Sequence, residues 1–585
     1  MSFFGELRRR NVFRVGIAYL AAVWLVLQVA DVVLPNIGAP AWIIQVVIFS
    51  CAMGLPVALI FAWFYEWTAE GIRAETELGA TRAVNLKGRR LDFAIIGLLV
   101  LAISFLLVDD FVLNGQNAAL PNSVAVLPLE NLSADPDNAY FAAGFHEAIL
   151  NELAKIRAMN VIARTSVLPY VDGTTPIAEV ARQLNVETVM EGSIQYAGDR
   201  VLVTAQLIDP ETNAHLWSDS YNRDFSDVFA IQADIAMNIA NALEAEFSAS
   251  EQESFEKIPT ESIEAYALYF RALSTPSRES RRAALDQAIA LDPEFALAYA
   301  RRAVMGQGRL IGVVANTSPD EALAAERSVI ADAERALELD PTLGGPHATL
   351  GTVHQANWRG AEAEREFQRA LELSPNDVRV LVGYGEFKRL RGDYDESVRL
   401  MQRASQLDPN AVLPRNELAL TYRAAADWDA AAEIFQDIAN REPARLGTVG
   451  LNVNWGSVEA GRGNAVEAVR RLQLAEQLAP LPAYRLASMA HTYALAGHSE
   501  DAARLFVEFE EQATQARIGD GWWALAYVAV RDYEQALQRI ESAVSTPGVT
   551  SDQVALLALA ANPWRDPGLD TPEFRALFDN LWIDE

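Results

Sequence analysis

Pro341, Pro375, Pro409 and Pro443 stand 34 residues apart, and each closes a phrase of one type: ALELDP, ALELSP, ASQLDP or IANREP. A constant period of this length means that one supersecondary unit recurs and stacks on its own copies, which excludes most globular folds for this part of the chain. Before Pro375, Leu350, Gly351, His354, Ala363, Phe367 and Ala370 put small and large apolar groups on two antiparallel helices. Tyr384, Gly385, Met401 and Ala404 hold the same offsets before Pro409, as do Leu418, Ala419, Tyr422, Ala431, Phe435 and Ile438 before Pro443. The small residue lets the partner helix approach, the aromatic fills the space beside it, and the proline forces a turn.

These three in-phase units resemble the tetratricopeptide repeat. Weaker copies run through Ala284, Ala288 and Pro293 upstream, and through Ala490, Tyr493, Ala502 and Phe506 downstream, with a last pair at Trp523, Ala526, Tyr533 and Ala536. The resemblance therefore covers residues 260–545 and implies an all-α solenoid. Pro293 to Pro341 spans 48 residues, 14 more than one unit, and the excess around GQGRLIGVVANTSPD reads as a flexible loop.

The chain has 585 residues, of which 51% are hydrophobic, and the apolar excess lies at its front. Residues 12–34, 41–65 and 91–113 are three stretches each long enough to cross a hydrocarbon core of about 30 Å as a helix. Arg8, Arg9, Arg10 and Arg14 precede the first, whereas Arg73, Arg82, Lys87, Arg89 and Arg90 lie between the second and third. The positive-inside rule then places the amino terminus and the 66–90 loop in the cytoplasm and everything after residue 113 across the membrane, which is the periplasm of a Gram-negative cell. Residues 1–113 hold nine basic and nine acidic side chains, so the net charge of −30 falls entirely on the later part, where it repels nucleic acid. Cys51, the one cysteine, lies within the second stretch, which leaves the exported part without disulfide or thiol chemistry.

A linker at 114–120 leads into an alternation of strands and helices over 121–248, the pattern of one compact α/β domain. A strand, a polar turn and a helix from about Asp137 are followed by MNVIARTSV as a strand and PIAEVARQLN as a helix. Strands joined at Gly198-Asp199 come next, then HLWSDSYNRDF and a closing helix from Val228 to Glu246. The phrases VAVLPLENLS, YFAAGFHEAILNEL, EVARQLNVETVMEGSI, RVLVTAQLID and HLWSDSYNRDFSDVFAIQADIA resemble the TolB/FlgO-like domain of bacterial envelope proteins. In that family the domain often precedes tetratricopeptide repeats and follows a winged-helix or nucleotide cyclase domain. About a dozen residues precede the first apolar stretch and the 66–90 loop is short, so neither is expected here. NPWRDPGLDTPEFRALFDNL, within 546–585, resembles the usual carboxy-terminal cap of such arrays.

Motifs of catalysis are lacking: no HExxH, GxSxG or GxxxxGK[ST] occurs. His347 and His354 are seven apart, as are His491 and His498, whereas a helical zinc site wants i and i+4. His146 and His215 stand alone, and GQGRLIG lacks the strand and spacing of a phosphate loop. The reading is a non-enzymatic protein without cofactor or metal. If the repeat geometry holds, the first helices line a groove through Gln355, Arg379, Glu386, Arg389, Asn416, Glu417 and Arg423. Gln355, Arg389 and Arg423 are equivalent in successive units, and the arginines suit a carboxylate. An inner-membrane-anchored periplasmic platform or sensor for protein or peptide partners is expected. The alternative is an accessory or scaffold subunit whose spans contact a catalytic membrane partner.

Overall fold

The computed structural model describes residues 19, 23–24, 65–68, 71–74, 119–133, 139–197, 200–224, 227–245, 257–311, 319–442, 447–515, 518–545, 559, 568 and 571–579. The chain divides into two units, Met1–Ala118 and Ala119–Glu585. In the first, β1 (Tyr65–Thr68) and β2 (Gly71–Ala74) pair antiparallel with Glu66 opposite Arg73, a hairpin that the charge reading of this loop did not anticipate. Among the described residues no helix is long and apolar enough to cross a membrane. The three expected spans lie outside the described residues, apart from Tyr19, Val23, Trp24 and Tyr65.

The second unit begins with a mixed sheet in the order β5-β3-β6-β7-β8. Its strands are β3 (Leu120–Val126), β4 (Glu130–Asn131, paired with β6), β5 (Asn160–Val161), β6 (Val186–Ala197), β7 (Arg200–Ile208) and β8 (His215–Asp224). β5, β3, β4 and β6 run parallel where they pair, and β6, β7 and β8 form an antiparallel meander. Alternation along β3 sends Val124 and Val126 to one face and Ala125 to the other, and both faces are covered. α1 (Ala139–Ala154) and α4 (Val228–Ala242) cover the first face, and α3 (Ile177–Leu184) the second. His146 of α1 donates from Nε2 to the Val126 carbonyl at 2.8 Å, tying helix to sheet, and burial lowers its pKa to about 4.

MNVIARTSV is a strand only in part. Arg164–Val167 form a helical turn, α2, because the Ala163 amide bonds the Leu407 carbonyl of the solenoid at 2.8 Å instead of a strand neighbour. The solenoid itself shows eight helix pairs among the described residues. They are α5 (Ile263–Ser274) with α6 (Arg278–Leu291), α7 (Ala296–Ile311) with α8 (Pro319–Leu339), α9 (Gly344–Ala356) with α10 (Gly360–Leu373), and α11 (Val378–Leu390) with α12 (Tyr394–Leu407). α13 (Val412–Ala424) with α14 (Trp428–Arg441), α15 (Val449–Arg462) with α16 (Ala465–Leu478), α17 (Ala483–Leu495) with α18 (Ser499–Gln515), and α19 (Asp520–Ala529) with α20 (Tyr533–Ser545) complete them. α21 (Pro572–Asp579) follows, and its Phe574 joins the core of the last pairs.

GQGRLIG needs correction as a loop, since residues through Ile311 belong to α7. A Cβ on Gly306 would stand 2.4 Å from Val329 of α8, so this glycine serves close helix packing. Inside each pair the link is equally periodic. Trp358, Gly392 and Ala426, spaced by 34, adopt φ of 60°, 78° and 63°, a left-handed residue that ends the first helix. Asp393 and Asp427 follow and accept from Glu396 N and Ala430 N, capping the second helix.

Module and solenoid share one core. A Cβ on Gly144 of α1 would fall 2.1 Å from the Phe270 ring of α5, so only glycine permits this approach. Phe270 also meets Phe141 at 5.6 Å and Tyr266 at 4.2 Å between ring centroids. Farther along, two equivalent turns grip the module. Asn376 Nδ2 donates to the Ile156 and Met159 carbonyls at 2.9 and 2.8 Å, and Asn410 Nδ2 to the Ser166 carbonyl at 3.0 Å. Asp408 accepts from Ser166 Oγ at 2.6 Å and from Thr165 Oγ1. Each asparagine directly follows a period proline, Pro375 or Pro409, whereas Glu294, Thr342 and Ala444 hold that place elsewhere.

Candidate functional site

α11, α13 and α15 are the first helices of three successive pairs and contact one another in turn. One position on them recurs every 34 residues: Gln355, Arg389, Arg423, Ser457 and then His491. Arg389 Nη2 lies 3.0 Å from Glu417 Oε2, both side chains being largely buried. Arg423 Nη1 donates to Ser457 Oγ at 3.3 Å, while its buried Nε has no partner among the described residues. Asn416 donates to Glu417 at 3.1 Å and accepts from Asn454 at 3.1 Å, which extends the network onto α15.

Glu386 stands beside this network. Burial, and then the neighbouring Glu417, push its pKa up to about 7, against the pull of Arg389. Burial and the charge of Arg389 bring Arg423 down to about 10, so it remains a cation at neutral pH. The cluster thus sets two guanidinium groups beside Glu417, which Arg389 pairs, and Glu386, whose carboxyl burial pushes toward the neutral form. Its uncompensated positive charge is centred on Arg423, an arrangement able to hold a single incoming carboxylate by charge-assisted hydrogen bonds.

Five of the seven expected groove residues, Glu386, Arg389, Asn416, Glu417 and Arg423, meet here. Gln355 does not line an open surface, being 7% exposed. Arg379 is elsewhere: it begins α11, pairs with Asp377 at 2.8 Å, and faces a cleft between α1 and the first helix pairs. Sequence reasoning did not single out Ser457 and Asn454, although Ser457 continues the 34-residue column. Among the histidines, His347 Nδ1 contacts Glu366 at 2.6 Å, and His146 and His491 are buried. Among the described residues no group of three or more His, Cys, Asp or Glu could hold a metal ion.

No protein-family model matches the chain. It is 36% identical over 251 residues to "Putative adenylate cyclase 3" of Rhizobium meliloti (strain 1021), an alignment covering 41% of this chain and 42% of that protein. The chain thus spans less than half the length of this curated relative. Among solved structures, a tetratricopeptide repeat protein from Parabacteroides merdae aligns at 12% identity with a TM-score of 0.34, covering 46% of this chain and 99% of that one. PilF of Pseudomonas aeruginosa aligns at 19% identity and TM-score 0.30, over 42% and 97%. YrrB, described as a TPR protein with an unusual peptide-binding site, aligns at 20% identity and TM-score 0.26, over 37% and 98%.

Proposed function

We propose that the chain is a membrane-anchored binding platform whose helical repeats take the carboxylate of a protein or peptide partner. The observation that carries this reading is Arg423, a cation with no carboxylate partner of its own beside the Arg389 and Glu417 pair. Three spans at 12–34, 41–65 and 91–113 anchor the platform in a bacterial inner membrane, with a TolB/FlgO-like module and the solenoid in the periplasm. The charge bias of the flanking arginines supports that orientation.

The test is fluorescence anisotropy with the full-length chain and two acidic peptides differing only in a free or amidated carboxy terminus. The free acid binds at least tenfold more tightly, and Arg423→Gln removes that preference. Binding strengthens from pH 8 to pH 6, because Glu386 gains a proton and the cluster becomes more positive. Equal binding of the two peptides, or an unchanged preference in Arg423→Gln, sinks the reading. A second reading makes the chain an accessory part of a signalling enzyme system, favoured by the 36% identity to a protein named as a cyclase. Crosslinking in intact membranes separates the two, since a catalytic partner joined to residues 1–113 favours the second.

A further inference from the structure

The cleft that receives Arg379 has a volume of about 360 Å³ and lies where α1 and α4 of the module meet α5, α7 and the turns before α9 and α11. Clefts of this size at a junction of substructures are where small ligands bind. Three of the cations in its wall are matched: Lys155 with Glu152 at 2.8 Å, Lys257 with Asp340 at 2.9 Å, and Arg379 with Asp377 at 2.8 Å. Arg301 of α7 is not. Among the described residues it makes no hydrogen bond or ion pair, and burial, then the proximity of Arg379, lower its pKa against the weaker pull of Tyr269 and Glu147. Its neighbour Arg302 bonds Asp332 at 2.6 Å and Asp286 at 2.7 Å, which leaves Glu147 of the cleft wall as the carboxylate that acts on Arg301 without bonding it.

A second group points the same way. Gln232 of α4 lines the cleft at 4% exposure, and its Oε1 accepts from the buried Tyr266 hydroxyl at 3.0 Å. Its Nε2 is buried without any partner. A buried donor left unmade is costly, and a desolvated guanidinium with no carboxylate bonded to it more so, and an incoming acceptor would relieve both. Both groups donate and neither accepts. Tyr269, Leu297, Ala300 and Val304 supply apolar wall to the same cleft.

We infer that this cleft binds a small organic acid, its carboxylate on Arg301 and Gln232 and its apolar body against Tyr269, Leu297 and Val304. The site is separate from the Arg423 cluster and joins the module to the first repeats, so occupancy would be sensed by both. The probe is benzoate, with benzamide as its uncharged counterpart, titrated into the full-length chain in mild detergent by calorimetry. Benzoate binds one to one and benzamide does not. Arg301→Gln weakens benzoate at least tenfold and Gln232→Leu several-fold, while neither changes peptide binding at Arg423. Hydrogen exchange on the unaltered protein gives an independent reading if a variant fails to fold, with benzoate protecting 228–242 and 296–304. Absence of benzoate binding, equal binding to Arg301→Gln, or protection confined to other segments overturns the inference.

Discussion

The module with its first helix pair and the last three pairs are both apolar at their centres, yet they are held in different ways. The first is one core in which Val124 and Val126 of the sheet, Phe145 of α1, Ile235 of α4 and Phe270 of α5 belong to a single cluster. The second joins residues close in sequence, each pair resting on the next through Tyr493, Phe509 and Trp522, with Trp358 joining from an earlier turn. Between them α9–α14 hold smaller apolar patches. The polar column of Arg389 and Arg423 runs through that middle and ends on Ser457 of α15. The two ends supply stability by burial, which leaves the middle free to carry charged groups that burial would penalise.

Breaking the first core should have the largest effect. Phe270→Ala, at a fully buried ring, costs about 4 kcal/mol and raises hydrogen exchange in β7 and α5 together. Phe509→Ala, equally buried in the distal core, should leave exchange in the module unchanged. If both variants loosen the whole unit alike, the two regions are not distinct. Acid separates them next. His146 has a folded pKa of about 4 against the ordinary 6.5, so the unfolded chain takes up a proton first. Stability from this group is full above 6.5 and falls by about 3 kcal/mol as pH drops to 4. Thermal melts across that range should show the loss in the module, and His146→Gln should flatten it.

Asn376→Ala leaves the Ile156 and Met159 carbonyls without their donor and should cost about 2 kcal/mol in denaturant unfolding. Glu294→Ala, the same turn position in an exposed setting, should change stability by less than about 0.5 kcal/mol. The smallest effect lies at the left-handed turns. Ala426→Gly relieves a φ of 63° and should stabilise by about 0.5 kcal/mol, whereas Gly392→Ala at φ 78° should destabilise by about 1 kcal/mol, both read from melting temperature.

Much of the solenoid was legible because packing there is local: Phe367, Met401 and Phe435 recur at one offset and are all fully buried. The strands of the module were legible from alternation, as Val201, Val203, Ala205 and Leu207 show by facing one core. What failed to show were contacts across long separations. Gln355, Arg389 and Arg423 could be placed in one column, but the pairing of Arg389 with Glu417 depends on how one helix pair turns against the next. Arg379 was assigned to the groove because α1, which shares its cleft, is more than 200 residues away in sequence. Arg301 gave no signal, since its neighbour Arg302 is the same residue type and only the helix face separates their fates. Asn376 and Asn410 carried a trace, an asparagine after the period proline in two turns.

Those two asparagines set a limit on how this array can evolve. The module spans from α5 to the turn at Asn410, so the number of helix pairs between them is fixed by its width. Duplication or loss of a unit upstream of α13 would carry one docking turn about a repeat's breadth away from its carbonyl partners. Beyond α13 no such tether is present among the described residues, so lineages can lengthen or shorten the array from its far end while the docked face keeps its register.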